Sequence, residues 1–177
     1  RVVVGSERLH EPGLGLVPVG LPEDLSRDEP PRLLQVAAAR LSERALPRDI
    51  AAELDALPRP RGLVTTPFHL RAVLDAGLPL PPIDLLLCAT APLNPALASA
   101  AEQAFRAPLV EVYGATESGQ LATRRTTREN GWTPYRGVRV LQEDGRAWAE
   151  GGHVTVRTSL ADLIEPAGEG RLVLLGR

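Results

Sequence analysis

The stretch Tyr113-Gly114-Ala115-Thr116-Glu117-Ser118-Gly119 puts an aromatic ring, a glycine, a hydroxyl and a carboxylate within five consecutive positions. Such a ring can stack on a nucleobase, and glycine lets a ligand approach the backbone. The hydroxyl and nearby amides can hold a phosphate oxygen, and the carboxylate can take a hard cation such as Mg²⁺ that bridges phosphates. The same residues also fit a plain structural account, with Thr116 as a helix N-cap and Glu117 as a favourable first-turn acid. A second loop, Ala89-Thr90-Ala91-Pro92-Leu93, follows an apolar run and ends in proline. Other chemistries lack their parts. Gly13, Gly15 and Gly20 are not spaced as a dinucleotide fingerprint. Gly114 to Ser118 does not fit a nucleophile elbow, which removes an α/β-hydrolase reading. His10, His69 and His153 have no obvious serine partner, and Cys88 sits in the apolar run 83–89, where a buried thiol is expected.

The elements that must position these loops read as alternating strands and helices. A Val2–Val4 run and a Gly/Pro-rich connector fill residues 1–31. Leu33, Val36, Ala37 and Leu41 then have helical spacing over Arg32–Arg44, followed by a second helix over Asp49–Leu57. Gly62–Thr65 reads as a short strand, and Thr66-Pro67 as the cap and first position of a helix to Ala76 that Gly77 closes. The pattern repeats with an apolar strand over Ile83–Ala89, Asn94-Pro95 opening a helix to about Arg106, and a strand over Leu109–Tyr113. Strands apolar on consecutive residues and alternating with helices predict an α/β fold, a parallel sheet layered with helices, over 32–130. Residues 131–177 read as a smaller antiparallel β subdomain, with turns at Asp144-Gly145, Gly151-Gly152 and Gly168. Ligands of open parallel sheets bind beyond the carboxyl ends of the strands, where both loops lie.

The chain has 177 residues, 44% apolar, with 20 basic and 22 acidic side chains. Every basic residue is Arg, which excludes a Walker loop, Schiff-base lysine chemistry and a Ser/Lys dyad. The arginines are dispersed, so no nucleic-acid partner is expected; Arg124, Arg125 and Arg128 read as a solvated loop. One cysteine excludes an internal disulfide framework and fits a reducing, cytoplasmic location. No apolar run reaches the roughly 18 residues of a membrane span.

Tyr113-Gly114-Ala115-Thr116-Glu117 resembles the Tyr-Gly-x-Thr-Glu motif of the adenylate-forming enzymes, the superfamily of acyl- and aryl-CoA synthetases, peptide-synthetase adenylation domains and luciferases. Five neighbouring stretches resemble that family in order. Leu63–Leu74 is similar to its strand and helix around Pro-Thr/Ala-His-Leu. Leu87–Leu93 is similar to its Ser-Gly-Gly-Ala-Pro-Leu loop, with Ala89 and Thr90 in place of glycines. Gly131–Val138 is similar to Gly-x-Pro-x-x-Gly-Val. Leu160-Ala161-Asp162-Leu163 stands where the family has Thr-Gly-Asp-Leu, and 170–177 resembles its Gly-x-Leu-x-x-Leu-Gly-Arg approach to the hinge.

The resemblance implies the large N-terminal domain of such an enzyme, incomplete. It implies that Thr90, Ala91 and Pro92 line an adenine pocket, that Tyr113 stacks on adenine, and that Gly114 borders the acyl site. Thr116 would contact the α-phosphate, Glu117 would hold Mg²⁺, and Asp162 would accept from the ribose hydroxyls beside Arg177. The implied reaction joins a small-molecule carboxylic acid to ATP, giving acyl-adenylate and pyrophosphate. Thioester formation on CoA or a phosphopantetheine carrier follows, with an acyl carrier protein as the corresponding partner; a stand-alone acyl-CoA or acyl-carrier-protein synthetase is the nearest type. The alternative is a catalytically inactive adenylation-like domain that serves as a nucleotide-binding or interaction module. The family's phosphate loop ending in Pro-Lys, its aromatic and histidine motif and its lysine-bearing C-terminal domain have no match here. The expectation is a partial view of a larger enzyme, with segments missing near Pro31-Arg32 or Leu46-Pro47.

Overall fold

A computed structural model describes residues 46–168 and 170–176. The expected Val2–Val4 strand, the helix over Arg32–Arg44, the junction at Pro31-Arg32 and the site residue Arg177 lie outside the described residues. At Leu46-Pro47 the backbone runs directly into a helix: the Leu46 carbonyl accepts from the amides of Asp49 and Ile50 at 2.9 and 3.2 Å.

Helix α1 spans Pro47–Ala56 and buries Ile50 and Leu54. Its end is capped from a distance. The Arg61 guanidinium, 7% exposed, donates to the carbonyls of Leu54, Asp55 and Leu57 at the C-terminal end of the helix. Strand β1, Gly62–Thr65, follows. Helix α2, Pro67–Asp75, starts where Thr66-Pro67 predicts: the Thr66 hydroxyl accepts the His69 amide, and Pro67, with no N–H to satisfy, occupies the first turn. Strand β2 is Leu85–Cys88, buried at all four positions. Helix α3, Pro95–Phe105, is capped by Asn94 on the Ala96 amide at 2.8 Å.

Strand β3 runs over Leu109–Ala115, β4 over Gly119–Arg124 and β5 over Thr133–Pro134. These complete one five-stranded sheet in the order β1-β2-β3-β4-β5. The first three strands are parallel, as the strand–helix alternation predicts, and β4 and β5 join antiparallel. The sheet is therefore mixed, not purely parallel, and it takes its last strand from the segment read as β subdomain. One face packs Leu63, Leu86 and Leu109 against Leu70 and Val73 of α2 and Ala98, Ala101 and Phe105 of α3.

Three further strands, β6 (Arg139–Glu143), β7 (Arg146–Gly151) and β8 (Val154–Leu160), form an antiparallel meander. The β6–β7 turn has positive φ at both Asp144 and Gly145, the geometry that Asp-Gly favours between two-residue-linked strands. Strands β9 (Leu163–Pro166) and β10 (Leu172–Gly176) make an antiparallel pair. A second core gathers Tyr113, Leu121 and Trp132 with Val138, Ala149, Leu160, Ile164 and Leu172.

Candidate functional site

Parallel pairing puts the two chemistry-bearing loops side by side. Cys88, the last residue of β2, is in register with Thr65 at the end of β1 and with Glu111 of β3. The chain leaves β2 into Ala89–Leu93 at the same sheet edge from which β3 runs on into Tyr113 and Gly114. Thr90, Ala91 and Pro92 are exposed on that edge, while Leu93 turns inward. Thr90 has φ +83°, a left-handed conformation unfavourable for a β-branched residue and natural for glycine. The resemblance places a glycine at this position, and the backbone supplies its reason.

Gly114 to Gly119 is a tight hairpin, not a helix start, so Thr116 caps no helix and Glu117 is no first-turn acid. Ser118 closes the turn. Its amide donates to the Ala115 carbonyl at 3.3 Å, and its hydroxyl accepts the Ala115 amide at 3.3 Å and donates to the Gly119 carbonyl at 3.2 Å. The pairing shifts register between Tyr113 and Gly114, which brings the two strands close. A Cβ on Gly114 would collide with the Gly119 carbonyl oxygen and lie 2.9 Å from the Gln120 Cα, so only glycine fits. Thr116 and Glu117 sit exposed at the tip.

Asp162, in the link between β8 and β9, meets this hairpin at its base. The Tyr113 hydroxyl donates to Asp162 Oδ2 at 3.0 Å. The Tyr113 ring is 8% exposed and packs against Trp132, with centroids 5.6 Å apart. The structure thus brings together the Thr90–Pro92 loop, the Gly114–Glu117 hairpin and Asp162.

One residue of this region escapes sequence reasoning. Glu111 is 2% exposed in the middle of β3 and is fully partnered. Its Oε1 accepts the Leu93 amide at 3.1 Å. Its Oε2 accepts Arg124 Nε at 2.7 Å and the Thr126 hydroxyl at 2.6 Å. Arg124 in turn lies 4.4 Å above the Trp132 ring. An acid within the run Leu109-Val110-Glu111-Val112 is the only trace in the sequence; its partners lie elsewhere in the chain.

His153 also arrives unannounced: its ring lies within 4 Å of where a Cβ on Gly119 would be, beside the hairpin. His69 stays on α2, with Nδ1 3.0 Å from the Thr66 hydroxyl. Cys88 is buried, as expected of that apolar run, and burial together with the nearby Glu111 charge pushes its thiol up to about 12. A surface depression of about 500 Å³ lined by Glu143, Asp144, Arg146, Trp148 and Arg157 lies on the β6–β8 sheet and includes none of the loop residues. Among the described residues no cluster of three or more His, Cys, Asp or Glu side chains could cage a metal ion. A lone exposed carboxylate such as Glu117 suits Mg²⁺, which keeps several waters and shares phosphate oxygens instead of entering an all-protein cage. No helix among the described residues is long and apolar enough to cross a membrane.

No family model matches the sequence, and no curated protein matches it either. Solved structures do match. o-Succinylbenzoate CoA synthetase (MenE) from Bacillus subtilis, a double mutant bound with its product analogue OSB-NCoA, is 16% identical with a TM-score of 0.63 over 77% of this chain and 35% of that chain. Wild-type Escherichia coli MenE with a bound analogue of OSB-AMS is 16% identical, with a TM-score of 0.60 over 72% and 32%. ATP-bound MatB from Rhodopseudomonas palustris is 16% identical, with a TM-score of 0.59 over 74% and 33%. The chain spans about a third of the length of these structures, and over the matched part it shares their fold.

Proposed function

We propose that this chain is the nucleotide-pocket portion of an AMP-forming ligase that activates a carboxylic acid with ATP. The observation that carries the reading is the convergence at one sheet edge of the Thr90–Pro92 loop, the Tyr113–Glu117 hairpin and Asp162. Thr90, Ala91 and Pro92 border the adenine with Tyr113. Asp162 accepts from the ribose hydroxyls, and Arg177 is a further nucleotide-binding residue. Gly114 borders the acid, Thr116 donates to the α-phosphate, and Glu117 holds Mg²⁺. When bound, ATP supplies the electrophilic α-phosphorus and a pyrophosphate leaving group. A carboxylate oxygen of the acid forms the new bond to that phosphorus as the bond to pyrophosphate breaks. The chain's part is to orient the two reactants and to aim the Thr116 hydroxyl at developing charge. CoA or a carrier-bound phosphopantetheine then takes the acyl group as a thioester. The setting is cytoplasmic.

The test is ATP–pyrophosphate exchange with the full-length gene product across fatty, aryl and amino acids. Exchange with one acid class is expected. A Glu117→Ala variant should lose on the order of 10²-fold, the usual cost of removing one preorganised electrostatic group. Wild-type exchange in that variant would remove the metal role from Glu117, and no exchange with any acid would remove the ligase reading.

A further inference from the structure

We propose that Glu111 is the positioning residue of the nucleotide site, holding the adenine-side loop at its working distance from β3. The inference rests on the reading of Thr90–Pro92 as the adenine pocket and assigns a residue that does not itself touch ligand.

A buried carboxylate in the middle of a sheet must be repaid by hydrogen bonds, and an apolar side chain of similar volume would serve a core as well. Glu111 is 2% exposed, and its two oxygens serve different neighbours. Oε2 binds the β4 side, through Arg124 and Thr126. Oε1 binds only the Leu93 amide, at the far end of the loop that begins after Cys88. The near end is held too, by the Ala89 amide on the Thr65 carbonyl at 3.2 Å. Between these clamps Thr90 sits at φ +83°. Backbone in such a conformation persists only where its surroundings over-determine it. Leu93 is buried and Pro92 precedes it, so the loop has little freedom except at the Leu93 amide itself. The Arg124 guanidinium, fixed by Glu111, also lies over the Trp132 ring that packs on Tyr113. One carboxylate therefore sets the separation of both walls of the pocket.

Glu102 provides a matched control. From helix α3 it accepts the Leu109 amide at 2.8 Å, Arg125 at 2.8 Å and Thr127 at 3.1 Å, the same chemistry at the first residue of β3 and away from the Thr90–Pro92 loop. The experiment measures AMP and IMP affinity by titration, with thermal melting, for the full chain and for Glu111→Gln, Glu111→Leu and Glu102→Gln. Glu111→Gln offers one acceptor oxygen to three donors, and Glu111→Leu offers none. Both should weaken AMP binding by about tenfold or more, the usual scale for losing an outer-shell support, and should lower the AMP-to-IMP preference. Glu102→Gln should lower the melting temperature with affinity and preference unchanged. Folded Glu111 variants with wild-type affinity and preference would overturn the positioning role while leaving the nucleotide reading intact. Failure of both Glu111 variants to fold would make Glu111 a folding residue and overturn it as well. A wild-type chain that binds neither nucleotide would overturn the parent reading and this inference with it.

Discussion

The hydroxyl of Tyr113 donates to the carboxylate of Asp162 across 49 residues of chain, joining the hairpin that carries Thr116 and Glu117 to the link between β8 and β9. The bond ties the mixed sheet to the β meander at the candidate site itself. Tyr113→Phe and Asp162→Asn should each cost about 1 kcal/mol, the usual net value of such a bond. A double-mutant cycle by urea denaturation should show a coupling of at least about 0.5 kcal/mol. Strict additivity would mean that the two side chains contribute to stability independently.

Thr90 offers a gain. Relieving a β-branched residue at φ +83° should outweigh the extra unfolded-chain entropy of glycine, so Thr90→Gly is expected to stabilise by about 1 kcal/mol. Chemical denaturation checks this directly, and a loss of stability would show that the Thr90 methyl and hydroxyl do more than the backbone requires.

Asp84 governs part of the acid limb. The Arg59 guanidinium bonded to it, aided by the Arg61 amide, holds its carboxyl below the usual carboxylate range despite the opposing effect of burial. A carboxylate depressed in the folded state contributes stability that is complete above its unfolded value of about 4 and is lost as pH falls through the lower folded value. Melting temperatures of wild type and Asp84→Asn measured from pH 6 to pH 2 should converge as the pH falls. A constant gap would place the acid sensitivity elsewhere.

Cys88 should be silent in the native state. With its thiol pushed up to about 12, chiefly by burial, it holds almost no thiolate at pH 8 and has no access to reagent. Alkylation at pH 8 is expected to wait for unfolding, so its rate should rise in step with denaturant. Prompt labelling without denaturant would mean that the β2 end opens on its own.

Much of the helical part is legible in residue order because its signals are local. Thr66-Pro67 and Asn94-Pro95 mark caps that operate within three residues. The apolar run around Leu85–Cys88 announces a strand buried on both faces, and Asp144-Gly145 announces its turn. The hairpin was ambiguous because Thr-Glu-Ser serves a helix start or a turn equally well; what decides is the pairing of Tyr113 with Ala122, a contact between strands. Strand β5 has only two residues, too short to show a period. Asp162 is placed by resemblance to a motif, since nothing in its own surroundings points to Tyr113. Glu111 is invisible because its meaning lies in three donors, 13, 15 and 18 residues away.

Strand β3 belongs to both packed interiors: Leu109 lies in the helical core, and Tyr113, four residues on, in the core of the β meander. A segment shared in this way cannot be released by one core while the other stays closed. The two halves of the molecule should thus lose amide protection as a single cooperative unit, and a ligand gripping the Tyr113 hairpin should slow hydrogen exchange in α3 as well as in the distant strands β7 and β8.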